Sequence, residues 1–152
     1  MAFQSHFLSG AWEHAFVNSH PTNHKESTAE LKIAAAAEEL GIPVLAPMTE
    51  HGRYDLVFVI DEQFLRVQSK WAAVENDVVL VRLRSQRLTS RGRIVTTYSA
   101  DEIDAVAAYC GDLDRCFLLP IELVAGKDSC TCASVRRRMA NERPLTLVRI
   151  TN

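Results

Sequence analysis

Two apolar runs separated by a two-residue acidic break set the frame of this chain. Tyr54–Ile60 and Gln63–Trp71 flank Asp61-Glu62. Both runs carry valines, which favour strands, and the break supplies the polar turn of an antiparallel hairpin. With a two-residue turn and no bulge, Ile60 faces Gln63, Phe58 faces Leu65, Leu56 faces Val67 and Asp55 faces Gln68. Side chains alternate between the two sides of a strand. Leu56, Phe58, Leu65 and Val67 therefore make one apolar face. Asp55, Arg66, Gln68 and Lys70 share the other face with Val57 and Val59. Opposed Cβ atoms in such a pair lie ~4.5–5.5 Å apart, so a carboxylate meets a carboxamide, with a lysine two residues on.

That set has a chemical use. A hard divalent cation such as Mg²⁺ takes oxygen ligands and keeps several waters. Asp55, the side-chain carbonyl of Gln68 and the backbone carbonyl of Ser69 can each offer an oxygen. Lys70 reaches the same face, where it can hold a phosphate or orient an attacking water. The competing reading is an ordinary polar face, since antiparallel sheets commonly leave one side to solvent.

A helix is expected ahead of the hairpin. Asn23 with Glu26 is a variant capping box, Ala29, Ile33, Ala36, Ala37 and Leu40 form an apolar stripe, and Gly41 followed by Pro43 ends it. Glu30 shares a face with Ile33, Ala34 and Ala37, where an acid needs a cationic partner. A structural salt bridge and a metal-site carboxylate both meet that need. Further strands are expected at Ile42–Ala46, Val78–Arg84, Ala105–Tyr109 and Cys116–Leu119. Ser85–Thr97 reads as a polar loop, Ser99 to Glu102 as a helical turn, and Pro120 to Val124 as another turn. Residues 1–22 read as a poorly ordered extension, 23–125 as the core and 126–152 as a tail without assigned structure.

Composition narrows the remaining classes. No apolar run among the 152 residues approaches the ~18–20 needed to span a bilayer, and the N-terminus lacks the pattern of a secretory signal. A cytoplasmic protein with reduced thiols and no membrane partner is expected. Cys130-Thr131-Cys132 lacks the usual zinc spacing. The formal net charge is −2, yet Arg82, Arg84, Arg87, Arg91 and Arg93 fall in a stretch without acids. Solvated surface charge is the plain reading. Beside a phosphodiesterase site the cluster becomes a surface that tracks phosphates, with Arg53 and Arg66 flanking the site itself.

The stretch Thr49-Glu50-His51-Gly52-Arg53-Tyr54-Asp55-Leu56-Val57, with Leu65-Arg66-Val67-Gln68-Ser69-Lys70-Trp71 and Tyr98-Ser99-Ala100-Asp101-Glu102-Ile103-Asp104, resembles the group I intron-associated branch of the PD-(D/E)xK endonucleases. The resemblance covers about residues 22–125. It implies a restriction-endonuclease-like α/β fold, a central mixed β-sheet flanked by helices. It also implies Mg²⁺-dependent cleavage of double-stranded DNA, with Mn²⁺ as a substitute, by a homo-oligomer, dimeric or tetrameric. The family's helix acid falls on Glu30, its metal-binding aspartate on Asp55, its amide on Gln68 and its lysine on Lys70. A homing-endonuclease-like enzyme is the leading expectation. A junction-resolvase-type, structure-selective nuclease and a catalytically silent DNA-binding module of the same fold are the alternatives.

Overall fold

The computed structural model describes residues 21–49, 52–89, 92–134 and 145–147. The described residues begin with helix α1 (Pro21–Glu39). It starts two residues ahead of the expected cap, because proline suits the first helical turn, where its missing N–H costs nothing. Its end matches expectation. Gly41 takes φ +75°, its N–H donates to Glu38 O, and the Ile42 N–H donates to Ala37 O. This is the paired closure that a left-handed glycine allows.

Strand β1 (Val44–Leu45) is shorter than Ile42–Ala46. It pairs antiparallel with β2 (Leu56–Ile60). Strand β2 turns into β3 (Gln63–Glu75) in the expected register, Leu56 to Val67 through Ile60 to Gln63. Asp61 and Glu62 both have positive φ, the backbone that matches a two-residue hairpin to the right-handed twist of its strands. The device repeats at Asn76 and Asp77, which lead into β4 (Val78–Arg82).

Strands β5 (Ser85–Thr89) and β6 (Gly92–Thr96) form a separate two-stranded hairpin. The loop expected over Ser85–Thr97 is thus a paired ribbon. Its polar residues masked the alternation, while Leu88, Ile94, Val95 and three threonines supply strand propensity. A turn closed by the Ile103 N–H on Ser99 O leads to β7 (Ala105–Cys110) and β8 (Arg115–Pro120), followed by the single-turn helix α2 (Ile121–Val124). Beyond residue 126 the sequence showed no pattern, yet β9 (Ser129–Ser134) pairs with β4, and β10 (Leu145–Leu147) lies parallel to β8. The expected extension falls almost entirely on residues 1–20, outside the described residues.

The main sheet runs β1-β2-β3-β7-β8-β10, with β4 and β9 attached through β3. Its parallel β3–β7 pair beside antiparallel neighbours makes it mixed. Both sides are covered, so every residue of β7 is buried. On one side Ala29, Ile33 and Ala37 of α1 meet Leu56, Phe58, Val67, Ala105 and Ala107. On the other, Ala72, Val81, Tyr98, Val106, Ala108 and Phe117 pack with Ile121 and Val124 of α2. No helix among the described residues is long and apolar enough to cross a membrane.

Candidate active site

Strand β3 is longer than its neighbours, and that mismatch builds the site. One edge of β3 pairs with β7 from Val67 to Ala72. The other edge pairs with β2 up to Val67 and with β4 only from Ala72. Between those partners lies a break in the ladder at Gln68, Ser69, Lys70 and Trp71. A backbone donor exposed by such a break needs another acceptor. Asp55 provides it. Its own N–H donates to Val67 O at 3.0 Å, which extends the hairpin by one residue. Its carboxylate Oδ2 then accepts the Ser69 N–H at 2.8 Å.

Gln68 faces Asp55, as the register requires. Its Nε2 donates to Asp55 Oδ2 and, at 3.3 Å, to Ser69 O. The amide nitrogen, a partial positive charge, thus sits between two oxygens. Turning the carboxamide over brings a third oxygen, Oε1, to the same point. Carboxylate, backbone carbonyl and carboxamide oxygens are the ligand types that hard divalent cations take, so this set fits such an ion. Among the described residues no group of three or more His, Cys, Asp and Glu side chains could hold a metal, so a ligand set here would draw on other oxygens, such as those of Gln68 and the backbone. The Ser69 hydroxyl is buried without a hydrogen-bond partner among the described residues.

The electrostatics point the same way. Burial pushes the Asp55 carboxyl above its ordinary pKa; the Ser69 N–H, the Lys70 charge and the Gln68 amide pull it back, and Glu26 pushes it up. A half-buried carboxylate that resists ionisation gains most from a nearby cation. On α1, Glu26, one turn before Glu30, acts on Asp55. The two share a helix face at i, i+4 spacing. Sequence reasoning had used Glu26 as a cap partner, and the face it shares with Glu30 was the signal available. Glu30 is half-buried and engaged in interactions of its own.

A family model for PD-(D/E)XK endonucleases matches residues 20–147. The chain belongs to the PD-(D/E)XK endonuclease family. The match runs past the expected core boundary to β10, the last strand of the sheet. Among solved structures, a bacterial homing endonuclease, I-Ssp6803I, aligns with a TM-score of 0.67 at 23% identity, over 82% of this chain and 86% of that one. It shares the fold. None of the curated proteins compared with the chain matches it.

The flanking arginines of this family member are held by its own backbone and acids. Arg66 grips Asp104 through two hydrogen bonds of 2.9 and 3.0 Å and also donates to the carbonyls of Ala100 and Asp101. Its backbone N–H donates to Asp104 Oδ2, and the Asp104 N–H donates to Arg66 O. Arg66 holds the Asp104 carboxyl below its ordinary pKa. Arg53 donates to Thr96 Oγ1, to Thr97 O and, at 3.4 Å, to Glu102 Oε2, while its Nε lies 2.9 Å from Glu102 Oε1 without a hydrogen bond. Arg82 pairs with Glu75 and Arg84 with Asp128, both at the surface. The side chains of Arg87 and Arg93, and all of Arg91, lie outside the described residues, as do Glu50 and His51.

Proposed function

We propose that this protein is a metal-dependent DNA endonuclease that hydrolyses phosphodiester bonds, homing-endonuclease-like in its architecture. The observation that carries the reading is the break in the β3 ladder. There a half-buried carboxylate, a carboxamide and a backbone carbonyl converge, with Lys70 two residues on. Asp55, Gln68 through its side-chain oxygen and Ser69 through its backbone would hold a divalent ion, Mg²⁺ or Mn²⁺, with Glu30 approaching from α1. When bound, the ion supplies Lewis acidity to the scissile phosphate and lowers the pKa of its water.

The protein groups do the rest. Asp55, pinned by the Ser69 N–H, holds its oxygens in one place before any ligand arrives, which lowers the reorganisation needed at the reaction. Lys70 sets a positive charge beside that carboxylate, where the phosphate's developing charge would fall. Arg82, Arg84, Arg87, Arg91 and Arg93 would follow the backbone of double-stranded DNA, and Arg82 and Arg84 would exchange surface carboxylates for phosphates. Arg53 and Arg66 would contact phosphate only through donors not already committed. Action in the cytoplasm as a homo-oligomer, dimer or tetramer, completes the reading.

Incubating double-stranded DNA with wild type and Lys70→Ala under Mg²⁺ or Mn²⁺ tests it. The wild type should cut, and Lys70→Ala should still bind DNA but cut at least about a hundredfold more slowly, the scale of losing one charge-stabilising group. Binding without cutting by the wild type under both ions would replace the reading with a catalytically silent DNA-binding module.

A further inference from the structure

Beyond the last β2–β3 pair, Leu56 with Val67, Arg53 and Lys70 approach the same aromatic ring. Two like charges brought to one place repel. The structure meets this conflict with one ring. Tyr98 is buried at 3% exposure. The Arg53 guanidinium carbon lies 5.0 Å from its ring centroid and Lys70 Nζ lies 5.4 Å from it. The two cations are not treated alike. Arg53 is also matched by Glu102. No carboxylate forms a salt bridge with Lys70 among the described residues, so the ring face is the group that meets its ammonium.

We propose that Tyr98 is the positioning residue for Lys70. It fixes the ammonium beside Asp55 through its π face and leaves the N–H donors uncommitted for a phosphate. A carboxylate partner would fix the lysine equally well but would consume the charge that the chemistry needs. The ring's negative quadrupole attracts the cation without a competing acceptor. Its own position is over-determined. The Tyr98 carbonyl accepts the Gly126 N–H, and the ring packs in the core beneath β3. Arg53 extends the arrangement, since its hydrogen bonds to Thr96 and Thr97 tie the end of β6 to the same ring. The basic hairpin β5–β6 is thereby anchored beside the lysine.

This inference rests on the nuclease reading, and its test separates the two. Position 98 of the full chain is filled with phenylalanine, then with mono-, di- and trifluorinated phenylalanines. The series drains the π face while nearly preserving shape. Single-turnover nicking of supercoiled plasmid with Mn²⁺, plasmid affinity and thermal stability are measured for each. The nicking rate should fall stepwise from Tyr98→Phe to the trifluoro form, by roughly tenfold in all, with affinity and stability level. Flat rates across the series, or rates that fall only in step with stability, would overturn the positioning role while leaving the nuclease intact. A second readout needs no activity. The side-chain methylene protons of Lys70 should resonate upfield, as protons over a ring face do, and lose that displacement in Tyr98→Leu. Ordinary lysine positions in the wild type would overturn the proposal even if no DNA is cut, an outcome that would separately end the nuclease reading.

Discussion

Gly111 stands where only a missing side chain accommodates the ring of Trp71. A Cβ at this position would lie 2.6 Å from Cζ2 and 2.8 Å from Cη2 of the indole. Carbon atoms attract best at ~3.5–4.0 Å, so the methyl of Gly111→Ala must drive the ring back by about 1 Å. The backbone there is outside the left-handed region, so the cost is steric alone. The ring is already engaged, edge-on to Tyr109 at 5.4 Å and 82°, with Lys25 Nζ 5.5 Å from its centroid. Losing the aromatic pair costs ~0.5–1.5 kcal/mol and the exposed cation contact ~0.5–1 kcal/mol. Partial relaxation puts the total at about 1–3 kcal/mol, the usual range for overpacking. Urea unfolding followed by circular dichroism measures it. The decisive arm is a double-mutant cycle. In a Trp71→Leu background the obstruction is gone, and Gly111→Ala should cost less than about 0.5 kcal/mol. An equal penalty in both backgrounds would refute the steric argument. Because Trp71 adjoins Lys70 on β3, the glycine also protects the site's geometry.

Three further outcomes follow from the same geometry. Asp55 has a raised pKa in the fold, so its protonated form favours folding: its contribution is full below the ordinary 3.8 and is lost as pH rises through the raised value. Asp55→Asn should therefore be more stable than wild type at neutral pH, with the gap closing on acidification in thermal melts. Mn²⁺ should raise the melting temperature of the wild type and not of Asp55→Asn, because an ion that binds only the folded site stabilises by mass action. Asp104 has the opposite sign: its lowered pKa contributes stability above the ordinary 3.8 that is lost as pH falls through the lowered value. Asp104→Asn should lose about 1–2 kcal/mol at pH 7, solvent screening included, and the loss should shrink only below that range in pH-dependent urea titrations.

The β2–β3 hairpin was legible in the sequence because each rule acting on it agrees. Runs rich in strand-forming residues, a two-residue break and a two-sided pattern admit one register, and a slip by one residue would bury Asp55 and Gln68 in place of Leu56 and Val67. The helix end was legible for the same reason, with Gly41 and Pro43 in sequence. What escaped depends on distant partners. Strands β9 and β10 have too little local pattern to announce themselves and form only because β4 and β8 offer open edges. The β5–β6 hairpin hid behind its arginines. The role of Asp55 as a substitute ladder partner also escaped, since it requires knowing that β2 stops and β4 starts on the same edge of β3. The commitments of Arg53 and Arg66 rest on Glu102 and Asp104, acids 49 and 38 residues further along the chain.

The most direct measurement is nicking of supercoiled plasmid by the full chain in Mg²⁺ or Mn²⁺, with Asp55→Ala purified in parallel. The account predicts cleavage by the wild type, abolished by EDTA and absent from Asp55→Ala. Cleavage by both proteins at equal rates would contradict it, because the break in the β3 ladder would then not be the site of the chemistry.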